Sequence, residues 1–192
     1  MALLKAFSRA LAKPASKGKC ACWLIMSALL FSSRLEAPAD TPEYQLKAVF
    51  LFNFAQFVHW PPEAFPEAQT PLVIGVLGED PFGPYLDETV RGEKVNTHPL
   101  VVRRYRRVEE IKSCHVLFIS QSEANRLEQI LASLKGRTIL TVSDANDFGR
   151  RGGMVGFVIE KSKIRMRIKL EAVKAANLTI SSKLLRVAEI ES

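Results

Sequence analysis

Four short apolar runs, separated by segments of helical character, constrain the fold of this chain more than any other feature of its sequence. They lie at residues 71–77, 99–103, 114–120 and 138–142. Strands that are covered on both faces read as such runs, and their alternation with helices is typical of βαβ units. The pattern therefore predicts a parallel sheet with helices packed against it.

The pattern changes after Gly152 and Gly153. Residues 154–159 are apolar throughout, whereas residues 164–170 alternate between apolar and basic side chains. A tight turn at 161–163 joins them, as in an antiparallel hairpin with one solvated face. The predicted fold class is therefore α/β: a single domain with a mixed β-sheet, made of a parallel βαβ part and a C-terminal antiparallel hairpin and flanked by helices.

Helices are predicted between the apolar runs and at both ends of this domain. The first is expected over 43–59, because Thr41 and Pro42 suit its start and the prolines at 61–62 end it. Further helical segments are predicted by the spacing of their apolar residues, at 85–90, 108–112, 123–134, 171–176 and 181–190.

The first helix carries more apolar residues than one buried face needs. Val49 and Phe52 fall within an otherwise polar face. They are therefore either core residues or part of a surface that binds a partner. The four residues predicted to share the buried face are Leu46, Phe50, Phe54 and Phe57.

The predicted C-terminal helix shows the same excess. Leu184, Leu185 and Val187 cover too wide an arc for one buried stripe. Exposed aliphatic side chains are typical of interface cores, and terminal elements are the easiest to spare from a domain core. We expect this helix to be the partner-binding surface, with Arg186 at its rim.

The first 39 residues have the three parts of a secretory signal peptide. Five basic residues precede an apolar run at 21–31, and Ala37-Pro38-Ala39 supplies the small residues of a cleavage site. A membrane-spanning helix needs about 20 apolar residues, roughly twice this run. We therefore predict export to the periplasm, with residues 1–39 removed and residues 40–192 forming the mature domain. A retained membrane anchor is the alternative.

Most of the positive charge lies in this leader. The chain holds 27 basic and 20 acidic residues, a net charge of +7. Six of the basic and one of the acidic residues fall within 1–39, which leaves 21 and 19, or +2, for the mature domain. Such a balance gives no reason to expect nucleic acid as a partner.

No pattern typical of catalysis occurs in the mature sequence. There is no G-x-S-x-G motif, and the one remaining cysteine, Cys114, is followed directly by His115. Neighbours in a strand point to opposite faces, so these two cannot form a nucleophilic pair. Cys114 opens an apolar run, which favours a buried thiol over a reactive one. We predict a protein without enzymatic activity and without a cofactor.

The remaining candidate sites are better explained as structure. The three histidines lack metal-ligand spacing, and the glycines at 75, 78 and 83 lack both common phosphate-loop patterns. Two basic clusters, at 103–107 and 165–169, are expected to be solvated strand residues; contact with an acidic partner is the alternative.

Several segments of the mature chain resemble the YfiR-like family of exported bacterial proteins. They lie at 46–61, 71–83, 114–120, 150–160 and 180–190, in the order of the family. The resemblance implies an α/β periplasmic regulator, often dimeric, that restrains an inner-membrane diguanylate cyclase by binding its periplasmic region and so lowers cyclic-di-GMP output. A related sensor kinase is a second type of partner that it implies.

Two further points follow from this resemblance. Some family members carry paired cysteines, whereas Cys114 has no second cysteine in the mature chain. Control through an intramolecular disulfide is therefore not expected here. A small-ligand-binding sensory or transport-associated protein is the alternative function.

Overall fold

An eight-stranded mixed sheet is the centre of the computed structural model, which describes residues 42–191. The helices are α1 (Pro42–Phe57), α2 (Tyr85–Val90), α3 (Leu127–Ser133), α4 (Leu170–Ala175) and α5 (Ser182–Leu185). The strands are β1 (Val58–His59), β2 (Leu72–Leu77), β3 (Lys94–Val95), β4 (His98–Tyr105), β5 (Val116–Ile119), β6 (Leu140–Ser143), β7 (Val155–Glu160), β8 (Lys163–Lys169), β9 (Thr179–Ile180) and β10 (Glu189–Glu191). Short 3-10 turns lie at Pro62–Ala64, Val108–Glu110 and Gln121–Arg126.

The strand order confirms the predicted fold class. The sheet runs β10-β8-β7-β6-β5-β2-β4-β3, and the five strands from β4 to β7 in this order are parallel. β7 and β8 form the predicted antiparallel hairpin. Its turn places Lys161 and Ser162 at positive φ, 49° and 60°, as the tightest hairpin turns require.

The helices cover both faces of the sheet. α1, α2, α4 and α5 pack against one face, where they bury Ile74 and Val76 of β2. α3 packs against the other face, with Val73 and Leu77. Because alternate residues of β2 and β5 are buried on opposite sides, these two strands are apolar throughout, as the sequence predicted.

Three helix predictions need correction. α1 ends at Phe57 rather than 59, because Val58 and His59 pair with β9 and the Ser181 amide donates to the Phe57 carbonyl at 2.9 Å. The helix expected over 123–134 is a 3-10 turn followed by α3. The helix expected over 108–112 is a single 3-10 turn at Val108–Glu110.

The largest error concerns the C-terminal helix, predicted over 181–190. α5 ends at Leu185, and Glu189–Glu191 forms the edge strand β10, parallel to β8. The alternating sequence Glu-Ile-Glu suits a strand as well as a helix. The free edge of β8 decides between them, and that edge is a tertiary feature that helical periodicity cannot show.

Candidate partner-binding surface

A buried ion pair fixes the orientation of α1 on the sheet. The Lys47 side chain is only 2% exposed, and its Nζ donates to Asp144 Oδ2 at 2.5 Å. Glu43 Oε1 accepts from the same ammonium group at 2.5 Å, one helical turn earlier. Asp144 directly follows β6, so this pair ties the first half of α1 to the carboxyl edge of the parallel strands.

Tyr44 completes this cluster. Its hydroxyl donates to Asp144 Oδ2 at 2.9 Å, and the Lys47 ammonium lies 4.2 Å from its ring centroid. Burial, and then the neighbouring Asp144 carboxylate, raise the pKa of Tyr44 above its ordinary value. The second carboxylate oxygen of Asp144 is buried and accepts no hydrogen bond from the described residues.

The inward position of Lys47 rotates the rest of the helix from its predicted orientation. Its buried residues are Lys47, Ala48, Leu51, Phe54 and Ala55. The predicted core residue Leu46 is instead 45% exposed, and Val49, three residues on, is 36% exposed. Residues three apart share a helix face, so these two side chains form one apolar strip on the outer side of α1.

Phe52 lies on the flank of α1 rather than on its outer side. It is half-buried and packs against the main core cluster, as does Phe50. Phe50 also contacts the Phe157 ring of β7, with 5.8 Å between ring centroids. Of the two α1 residues singled out from the sequence, Val49 is therefore the more exposed.

The four candidate residues of the C-terminal segment differ clearly in their exposure to solvent. Leu184 is 4% exposed and belongs to the core, and Leu185 is half-buried against it. Arg186 and Val187 are exposed, with Val187 at 63%. Ile190, which the sequence did not single out, is also 51% exposed.

The two helices that carry the predicted surfaces are neighbours in the fold. α1 and α5 lie on the same face of the sheet and contact one another. Val49 of α1 and Val187, which follows α5, are both among the large hydrophobic residues that stay exposed in the described part of the chain. We define Leu46, Val49, Val187 and Ile190 as the apolar surface set. Leu46 was missed because it was assigned to the core face.

Cys114 and His115 point to opposite sides of the sheet, as predicted. Cys114 is buried in the α3-side core, where burial raises the pKa of its thiol to about 12. A thiol of this kind is inert as a nucleophile at neutral pH. The prediction of a buried thiol is confirmed.

His115 is held in one tautomer by the backbone. The Val73 amide donates to Nδ1 at 3.0 Å, so the ring proton is on Nε2, which donates to the Ala64 carbonyl at 3.2 Å. The Phe65 ring stacks between His115 and His98, with centroids 4.6 and 3.9 Å away. Burial lowers the pKa of His115. These contacts anchor the loop before β2 rather than forming a metal site.

The basic cluster at 103–107 is partly neutralised within the chain. Arg104 Nε donates to Asp80 at 2.6 Å, and its terminal nitrogens bind Asp87 and the Gly83 carbonyl. The glycine-containing segment 75–83 is therefore a structural turn. Gly78, at φ 91°, has no room for a side chain, because a Cβ there would lie 2.4 Å from Ser122 Oγ.

Arg165 and Arg167 of the second basic row are exposed, as predicted for a solvated strand face. Arg167 binds Glu160 on β7 and Glu189 on β10. The Lys169 ammonium donates to the Gly149 carbonyl at 3.3 Å. The pair with Glu189 was hidden from the sequence because β10 was predicted as helix.

Two further features are absent from residues 42–191. Within that range no helix is long and apolar enough to span a membrane. The same residues hold no group of three or more histidine, cysteine or acidic side chains arranged as metal ligands.

The fold is an α/β domain with a mixed eight-stranded sheet. The chain matches the YfiR/HmsC-like family over residues 44–189, and it belongs to that family. Its members are periplasmic regulatory proteins rather than enzymes. No curated protein matches the chain.

Proposed function

We propose that this protein is an exported periplasmic regulator that binds the periplasmic region of an inner-membrane diguanylate cyclase, or of a similar sensor protein, and restrains its signalling. Family membership over residues 44–189 is the observation that carries this proposal. The predicted leader at 1–39 lies outside the described residues. Its removal would leave a form beginning at Asp40, which intact mass spectrometry of periplasmic protein tests directly.

The apolar surface set is the proposed contact region, with Phe52, Leu185 and Arg186 at its margins. A regulator without chemistry must act by binding one state of its target more tightly than another. Val187 and Ile190 are exposed aliphatic residues that the fold does not bury, as an interface core requires. Leu184 is left out of the proposed contact region because the core buries it.

The test measures cyclic-di-GMP in the native host after deletion of the gene and complementation with variants. Deletion should raise the level, and the unmodified gene should lower it again. Val187→Asp and Val49→Asp should fail to lower it while keeping the wild-type melting temperature. Ser182→Asp on α5 and Gln129→Asp on α3, both exposed polar positions, are the controls and should complement fully.

Two outcomes would contradict the proposal. Deletion without any change in cyclic-di-GMP would exclude the diguanylate cyclase as target. Full complementation by folded Val49→Asp and Val187→Asp proteins would exclude the proposed surface. Leu184→Asp is expected to fail by unfolding, and its low melting temperature distinguishes that cause from a lost contact.

A further inference from the structure

A groove of about 460 Å³ lies between α3, the start of β6, the segment before β7 and α4. This volume is within the range typical of sites for small ligands. Eight of its fifteen lining residues are apolar, among them Leu131, Leu134, Ile139, Met154, Ala172 and Ala175. None of them belongs to the apolar surface set.

The charged residues that line the groove carry more positive than negative charge. Arg151 and Glu128 neutralise each other through two hydrogen bonds, at 2.5 and 2.9 Å. Lys135 and Arg137 also line the groove, and neither forms a salt bridge with any residue in the range 42–191. Arg137 donates only to the carbonyl groups of Ile111 and Lys112. The groove therefore keeps two uncompensated positive charges beside an apolar lining.

We propose that this groove binds a free amphiphilic carboxylate, such as a medium-chain fatty acid. The apolar lining matches a hydrocarbon chain, and the positive charges of Lys135 and Arg137 favour a carboxylate head group over a neutral or cationic one. Charge-assisted hydrogen bonds from these cations are stronger than neutral ones. A cationic or zwitterionic amphiphile would leave an ammonium group without a free carboxylate partner, since Glu128 is already bound to Arg151.

Isothermal titration calorimetry of the purified protein with decanoate, below its micelle concentration, tests this proposal. We expect saturable binding of one decanoate per chain. Decan-1-ol should bind about tenfold more weakly, because it lacks the charge, and decyltrimethylammonium should bind more weakly still.

Three variants test whether decanoate binds in this groove. Ala175→Trp fills the groove from an exposed position on α4, and Lys135→Glu reverses one of its two free charges. Each should weaken decanoate binding about tenfold or more. Lys174→Glu changes an exposed α4 residue outside the lining and should change affinity less than about twofold. All three positions are exposed, so unchanged melting temperatures are expected to accompany these results.

Several results would overturn the proposal. They are an absence of saturable decanoate binding, equal affinity for decyltrimethylammonium, or equal weakening by Lys174→Glu. Phosphatidylglycerol vesicles provide the last comparison, because a bilayer surface also presents anions beside hydrocarbon. Co-sedimentation with these vesicles that depends on Lys135, without decanoate binding, would assign the groove to a membrane surface instead.

Discussion

The parallel half of the domain, from α1 to β6, and its C-terminal half, from β7 to β10, differ in where their polar and apolar side chains lie. In the first, Lys47, Asp144 and His115 are buried and bonded inside the protein. In the second, charged residues pair at the surface while Val187 and Ile190 stay exposed. The buried polar contacts stabilise the parallel half, whereas the C-terminal half and the outer side of α1 carry the exposed apolar residues that we propose as the contact region.

The largest effect should come from Lys47→Met, which breaks the buried ion pair in the parallel half. The Asp144 carboxylate would remain buried with Tyr44 as its only side-chain donor. Removing one partner of a buried pair costs about 3–5 kcal/mol. Urea denaturation should show a loss of this size in the free energy of unfolding.

A double variant sharpens this result. Lys47→Met combined with Asp144→Leu removes both charges and should recover most of the lost stability, because no unpaired charge is then buried. A loss below about 1 kcal/mol for Lys47→Met alone would show that the cluster is not the anchor of α1.

A smaller loss is expected for Cys114→Ser in the same half. The hydroxyl would be buried among apolar side chains, at a cost of about 1–3 kcal/mol. The native thiol, with its pKa raised to about 12, should react with a bulky alkylating reagent only after denaturation. Rapid labelling of the native protein would instead point to a reactive or intermolecular role for Cys114.

The smallest effect on stability concerns pH. Since burial lowers the pKa of His115, the unfolded chain takes up a proton near pH 6.5 while the folded protein does not. Stability should therefore be complete above pH 6.5 and fall below it, by at most about 1.4 kcal/mol per pH unit from this group. His115→Asn keeps an acceptor for the Val73 amide and should flatten the profile between pH 7 and pH 5. An unchanged slope in this variant would assign the acid sensitivity to other groups.

The strands of the parallel half were predicted well because the signal for each one lies within its own residues. Each buried strand is a short apolar run, so β2, β5 and β6 are visible without knowledge of their neighbours. The hairpin was equally clear, since β8 alternates strictly between apolar and basic residues.

The features that were missed depend on distant partners. Lysine is rarely buried, and no local sequence pattern around Lys47 indicates that it pairs with an aspartate 97 residues away. β10 becomes a strand because the edge of β8 is free, and β1 and β9 are two-residue strands that exist only as a pair. Of the proposed contact residues, Val49 and Val187 were identified in the sequence from excess hydrophobicity. The exposure of Leu46 became visible only from the orientation of α1, and that of Ile190 only because α5 ends at Leu185.

Site-specific photo-crosslinking at Val187 tests the central claim most directly. A photoreactive amino acid at this position, in cells of the native host, should give a light-dependent product that mass spectrometry identifies as the periplasmic region of a membrane diguanylate cyclase or sensor kinase. The same probe at Lys94, on the opposite edge strand β3, should not give that product. Equal crosslinking from both positions, or products at Val187 that contain only a second copy of this chain, would contradict the account.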